Sequence, residues 1–294
     1  MSSQPSKTIT CLVDAHVHLR EASGLDCAAS AGIGALRDAG FRQNVESGII
    51  SPPRRGDGPI VVSSGWALYS KGGYGSAFGV EVSTSDQIPA EILRLKLAGA
   101  GIIKAMASGM VSLKHPGQVT AGGFSSEELA RIVAEAAAEG LGVMAHANGE
   151  TAIIAAASAG VRSVEHGFFM TARALDLMAE KVIFWVPTLV ALRRAAGSSA
   201  SPDTTRFVEQ LILSQLSMLR YAHSIGVPLA IGTDCVLPDP AYRAAYDAEV
   251  ALYEQAGIPR DQVMSIACEG GARLLGVGTE GQVARSKQQV ASSK

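Results

Sequence analysis

Hydrophobic positions along this chain fall into short apolar runs separated by stretches with helical spacing. The runs at 10–19, 32–38, 59–65, 101–108, 141–146, 161–166, 182–187 and 227–234 each read as a strand. Between them, Ser85 as an N-cap followed by Ile88, Ile92, Leu93 and Leu97 predicts a helix. Ser125 and Glu128 have capping-box spacing at the head of an Ala-rich helix that stops at Gly140. Further helices are predicted over 150–159, 203–224, 241–256 and 260–275, with a weaker helical pattern around 44–47. Eight short strands alternating with helices, with no break in composition, spell a closed parallel (β/α)8 TIM barrel. Runs seven and eight are apolar almost throughout, as suits strands covered on both faces. An open doubly wound sheet would place a glycine-rich phosphate turn after the first strand, and none is present. The glycine-rich stretch 71–79 lacks both P-loop and dinucleotide spacing and reads as an active-site loop. The barrel is expected over 10–277, with 1–9 extended or disordered and 278–294 a polar tail.

Composition narrows the classes. A chain of 294 residues that is 47% hydrophobic can bury a large core as one domain. A net charge of −2 gives no reason to expect nucleic acid or an anionic membrane as partner; a small-molecule substrate is expected. The four cysteines, Cys11, Cys27, Cys235 and Cys268, show no CxxC spacing and read as buried thiols in a reducing compartment. The first residues lack the apolar core of a signal peptide, and no apolar run would span a bilayer. A soluble, cytoplasmic protein is expected, with homo-oligomerisation left open.

The chemistry-bearing residues fall at one end of the predicted strands. His16 and His18, two apart on the first run, share a strand face and together can grip a divalent metal. His146 and His166 end the fifth and sixth runs, and Asp234 ends the eighth. Four of six histidines therefore occupy the barrel end where active sites are built. Lys104, inside the fourth run, is the oddity, because a buried ammonium beside metal ions is unfavourable. It can lose its proton, form a carbamate with carbon dioxide whose oxygens bridge two metals, or serve as a structural ion-pair partner.

These segments together, His16-Val17-His18, Lys104 in IIKAMASG, His146 in AHANG, His166 in VEHG and Asp234 in GTD, resemble the amidohydrolase superfamily. The prolidase-like, imidazolonepropionase-related branch of binuclear enzymes is nearest in texture. The likeness runs from Asp14 to Leu275 and includes FSSEEL and ARLLG. It implies that His16 and His18 hold one metal, His146 and His166 the other, and carbamylated Lys104 bridges both. Asp234 would ligate one metal and act as catalytic proton shuttle. Two divalent ions are implied, zinc first among zinc, manganese, iron and cobalt. The implied activity is hydrolysis of an amide, peptide-like or cyclic C–N bond.

Two departures from that pattern stand out. The family's small β-sandwich has almost no sequence to form it here, so a barrel alone is expected. Tyr74, in Gly72-Gly73-Tyr74-Gly75, stands where prolidase-like relatives commonly place histidine. The run His16–Arg20–Glu21 also resembles the opening of dihydroorotases. That makes Arg20 a candidate carboxylate anchor and a dihydroorotase- or hydantoinase-like cyclic imide or lactone hydrolase the alternative activity. Tyr74 and His115 are further candidates for substrate contact. A non-catalytic barrel with structural metal is the remaining alternative.

Overall fold

The first strand is buried along its whole length, as its run of apolar residues and histidines requires. In the computed structural model, which describes residues 12–43, 58–197 and 200–278, it spans Leu12–Leu19 (β1). Strand Ile33–Asp38 (β2) pairs parallel with it through two shifts of register, and Ile60–Ser63 (β3) pairs parallel with β2 without a shift. Next come Ala67–Ser70 (β4) and Gly79–Val82 (β5), then Ile103–Met106 (β6), Val143–Ala147 (β7), Ser163–His166 (β8) and Phe184–Val186 (β9). Two parallel sheets are hydrogen-bonded, in the orders β10-β1-β2-β3 and β5-β4-β6-β7-β8-β9, with β10 at Cys235–Leu237.

Backbone hydrogen bonds between the sheets close the cylinder. Gly101 donates to the Ser63 carbonyl at 2.9 Å, joining β3 to the approach of β6. On the far side the predicted eighth strand, 227–234, forms no continuous ladder. It is stitched instead by Trp185 N–H to Pro228 O at 2.9 Å, Ala230 N–H to Trp185 O at 3.2 Å, Ala15 N–H to Ile231 O at 2.8 Å and Asp234 N–H to His16 O at 2.7 Å. Pro228 has no N–H to give, and Asp234 is left-handed at φ 54°, which explains the broken ladder. The result is a (β/α)8 barrel of eight strand positions with the 227–234 segment between β9 and β1.

The helices follow the predicted caps, with corrections. Ser125 Oγ accepts from Glu128 N–H at 3.2 Å while Glu128 Oε2 accepts from Ser125 N–H at 2.8 Å, opening Ser126–Ala138. The helix expected from Ser85 is instead capped by Thr84 and begins as a 3₁₀ turn before Ile88–Ala98. The expected single helix 260–275 is broken by a π turn at Ile266–Gly270 between Arg260–Ser265 and Gly271–Leu275. A Cβ on Gly270 would stand 2.5 Å from Leu229 O, and one on Gly271 2.5 Å from Val13 Cβ. The two glycines thus let this helix pack directly on the barrel. Helices Ser23–Ser30, Ala172–Glu180 and Leu189–Ala196 are not among the expected elements; at 8, 9 and 8 residues each is too short to show more than about two turns of apolar spacing. The stretch expected as one glycine-rich loop lies between β4 and β5, which add a parallel pair beside β6. The expected 1–9 extension, the helical pattern near 44–47 and the tail beyond 278 lie outside the described residues.

Candidate active site

Three breaks in strand alternation build the site. On β1, Asp14 pairs with Leu36 and Val17 with Asp38, so one extra residue bulges from β1 between them. Val13 and Ala15 pack in an interior cluster with Val186 and Ala230, yet past the bulge His16 and His18 also face inward. Val17 and Leu19 join the outer apolar cluster with Leu36. On β8, Glu165 is buried in the interior and the next residue, His166, still reaches the same interior because its φ is 64°. Asp234 is turned in by the same left-handed geometry. Non-glycine residues at positive φ carry strain and persist where the surroundings hold them, commonly at functional sites.

Six side chains named from the sequence, His16, His18, Lys104, His146, His166 and Asp234, converge at the C-terminal mouth of the barrel. Asp234 Oδ1 lies 3.5 Å from His16 Nε2 and 3.3 Å from His18 Nε2, and Oδ2 lies 4.0 Å from His166 Nδ1. The rings of His16 and His166 are 5.0 Å apart, and those of His146 and His166 4.6 Å. Lys104 is buried and lines the same cavity.

Hydrogen bonds fix which nitrogen of two rings faces the site. His18 Nδ1 donates to Gly40 O at 2.7 Å, and His16 Nδ1 donates to Glu165 Oε2 at 2.6 Å. Carbonyl and ionised carboxylate oxygens only accept, so both rings turn Nε2 toward the site. His146 Nε2 is 3.0 Å from Gly109 O and 3.1 Å from Asn148 Nδ2, able to donate to the first or accept from the second. His166 Nδ1 is 2.7 Å from Thr188 Oγ1, a residue itself held at φ 50°.

Burial keeps the rings of His16, His146 and His166 neutral. Desolvation, reinforced by Lys104, pushes His16 down to about 4 and His146 down to about 3. Burial and the neighbouring His146 hold His166 well below the ordinary histidine value. Burial also lowers Lys104 to about 8, against the pull of Glu165 and Asp234. Burial would raise Asp234, but His16, His18 and His166 more than offset it and keep the carboxyl well below the usual range. The site therefore offers neutral imidazoles and an ionised carboxylate at neutral pH.

Several supporting residues were not singled out by sequence reasoning. Arg37 forks onto Glu165 at 2.8 and 2.9 Å, and burial would raise that carboxyl were Arg37 not holding it near 2. Asp14 accepts from Thr233 Oγ1 at 2.7 Å and Tyr242 OH at 3.1 Å, tying β1 to the GTD segment and to helix Tyr242–Gln255. Asn148 braces the next pair of strands, its Oδ1 accepting from Phe168 N–H at 3.1 Å. Glu165 and Asn148 lie inside the VEHG and AHANG segments, so their adjacency to ligands was the available signal.

A cavity of about 430 Å³ opens over the cluster. One wall is a hairpin closed by the antiparallel bridge Val111–Val119, which contributes Met110, Leu113 and Lys114. Tyr74 lies in the wall with its ring 5.0 Å from His146, and burial raises its phenol well above the usual value. Thr188 is fully buried behind His166. Arg20 and His115 are not brought to the cavity. The Arg20 guanidinium lies 5.8 Å from the centre of the Phe41 ring, and His115 sits exposed at the hairpin tip. The cation in the cavity wall besides Lys104 is Lys114.

The donor set fits a divalent metal. One donor atom each from His16, His166 and Asp234 lie within 4.8 Å of one another; a cation about 2 Å from each ligand needs donors no more than about 4 Å apart, so these side chains would draw in slightly to hold one. The sequence model described as the Amidohydrolase family matches residues 10–288. The chain belongs to the amidohydrolase family. Within it, ochratoxinase of Aspergillus niger is 31% identical over 205 residues, which is 60% of this chain and 42% of ochratoxinase. The match thus spans about two-fifths of the length of that relative. The crystal structure of A. niger ochratoxinase superposes with a TM-score of 0.74 at 24% identity, covering 90% of this chain and 71% of that one. A prolidase complexed with N-methylphosphonate-L-proline gives a TM-score of 0.71 at 26% identity, covering 90% and 74%. No helix among the described residues is long and apolar enough to cross a membrane.

Proposed function

We propose that this amidohydrolase is a metal-dependent hydrolase of amide or peptide-like C–N bonds, with Asp234 as its proton carrier. The observation that carries the reading is the convergence of His16, His18, His146, His166, Lys104 and Asp234, from five separate strand positions, around one cavity. His16 and His18 would hold one divalent ion through Nε2, and His146 and His166 a second. Lys104 would bridge them as a carbamate, formed when its free amine adds carbon dioxide and releases a proton. A pKa of about 8 leaves roughly a tenth of that amine unprotonated near neutral pH. Divalent metal in such a site supplies Lewis acidity and water acidified to near neutrality. Asp234, ionised and open to the cavity, would take a proton from the attacking water and deliver it to the leaving nitrogen, acting as base and then as acid. Tyr74, beside His146, would contact the substrate at the mouth.

The cavity wall points to the substrate class. Phe78, Met106, Met110, Leu113 and Phe168 offer an apolar, aromatic surface, with Lys114 as an exposed cation at the rim. An N-acyl amino acid or dipeptide with a bulky apolar group and a free carboxylate matches both features. The named activities of ochratoxinase and of the prolidase that binds a proline phosphonate are in keeping with this class. Cyclic imides are the second reading. It is less favoured because its carboxylate anchor, Arg20, stands on Phe41 outside the cavity wall.

The test is metal analysis of the purified protein, followed by a screen of zinc-loaded enzyme. The panel would hold N-acyl amino acids, their carboxamides, dipeptides and cyclic imides. About two metal equivalents per chain are expected. Hydrolysis of apolar N-acyl amino acids is expected over the matched carboxamides, with a preference lost in Lys114→Met. A protein without metal, or one hydrolysing only cyclic imides, would overturn the reading.

A further inference from the structure

Interior layers of parallel barrels are normally filled by branched apolar side chains. Directly beneath the candidate metal site this barrel instead buries Arg37, Ser163 and Glu165, each wholly inaccessible. An ion pair in such a place is a poor source of stability, since well-packed apolar replacements are often neutral or stabilising. The pair is therefore expected to serve something other than the core.

Its hydrogen bonds show what it touches. Arg37 Nη2 donates to both oxygens of Glu165, at 2.8 and 2.9 Å, and Nη1 donates to Ser163 Oγ at 2.8 Å. Ser163 Oγ donates in turn to Glu165 Oε1 at 2.5 Å. The remaining approach to Glu165 Oε2 is taken by His16 Nδ1–H at 2.6 Å. Arg37 Nε reaches the Ala15 carbonyl at 2.6 Å, within the bulge that turns His16 into the barrel. Arg37 and Glu165 thus grip His16 twice, once by its ring and once by the backbone before it.

We infer that Arg37 and Glu165 are a positioning pair that sets the tautomer and tilt of His16 so that its Nε2 is presented for metal. Both oxygens of Glu165 are engaged by Arg37 and Ser163 or His16, so this carboxylate stays behind the ring and is not itself a ligand. Outer partners that orient a ligating histidine typically change metal affinity 10–100-fold when removed. This inference rests on the metal-site reading above.

The experiment compares Zn²⁺ affinity, by competition with a chromophoric chelator, with thermal unfolding of the metal-free protein. In Arg37→Met/Glu165→Leu, the apolar replacement should leave metal-free stability unchanged or raised. At least one Zn²⁺ equivalent should bind about 10–100-fold more weakly. A purely structural pair would shift unfolding while Zn²⁺ affinity stayed within about twofold of wild type, and that result overturns the inference. Should the double variant not fold, Glu165→Gln decides. It keeps an acceptor for Nδ1 but turns an amide N–H toward Arg37, so Zn²⁺ should bind several-fold more weakly, and unchanged affinity would overturn the proposal. Wild-type protein that takes up no Zn²⁺ removes the hydrolase reading as well. Wild-type protein that binds Zn²⁺ no better than a folded double variant removes only this inference.

Discussion

Asp234 is the residue on which both geometry and charge converge. Its left-handed backbone turns the carboxylate toward His16 and His18, and the surrounding rings keep it ionised despite burial. Replacing it by Asn keeps the shape but removes the proton acceptor. Asp234→Asn is expected to lose about 10²–10⁴-fold in kcat while retaining bound metal, measured by turnover alongside metal content. Full activity in that variant would end its role as proton carrier. The ligand candidates could be read from the chain because HxH spacing and strand-end histidines are local patterns. The pairing of Arg37 with Glu165 could not, since an Arg and a Glu far apart in sequence look like surface charges until a fold stacks them. The adjacency of Glu165 and His166 misleads for a related reason. Alternation assigns neighbours to opposite faces, and only the positive φ of His166 places both inside.

At the scale of elements, seven of the eight apolar runs carry a strand, while the eighth, 227–234, and the elements defined by tertiary contacts depart from the reading. The hairpin around Val111 and Val119 has little apolar alternation, so it read as loop. It is held by Ser112 N–H to Gln118 O at 2.9 Å and Thr120 N–H to Met110 O at 2.8 Å. The helix Leu189–Ala196, which forms another part of the cavity wall, depends on a residue far along the chain. Both oxygens of Glu249 cap it, accepting from Leu189 N–H at 2.9 Å and Val190 N–H at 2.7 Å. Burial raises this carboxyl to about 8, although those N–H groups pull it down. The folded state therefore holds a proton that the unfolded chain releases above its ordinary value of 4.5. Stability should consequently fall as pH rises from about 4.5 to about 8, and the loss is complete above that window. Glu249→Gln removes the titration. Its unfolding free energy, followed by denaturant titration across pH 5 to 9, should decline less steeply than that of wild type, and parallel curves would exclude Glu249 as the source.

For the whole molecule, the proposed metal would be coupled to the fold through residues drawn from both ends of the barrel order. β1 contributes two candidate ligands and the segment before β10 a third, so a cation held there ties the closing seam of the cylinder. Such a ligand binds the folded chain and not the unfolded one, so chelation should lower Tm. With metal at about a thousandfold above its Kd, the drop is on the order of 10 °C, and scanning calorimetry with and without chelator measures it. A Tm indifferent to chelator would mean the seam is held by the backbone alone. The barrel architecture was legible in the alternation of runs, but its closure was not, because Pro228 and the left-handed Asp234 replace a ladder with isolated hydrogen bonds. Below the ligands lie first the Arg37–Glu165 layer and then the apolar packing of Val13, Ala15, Val186 and Ala230. Among the described residues the chamber is closed from below. Under the proposed hydrolysis, whatever enters past the hairpin would leave the same way, so the two halves of a cleaved molecule would queue at the doorway with the next arrival, and competition from spent product would follow from the shape.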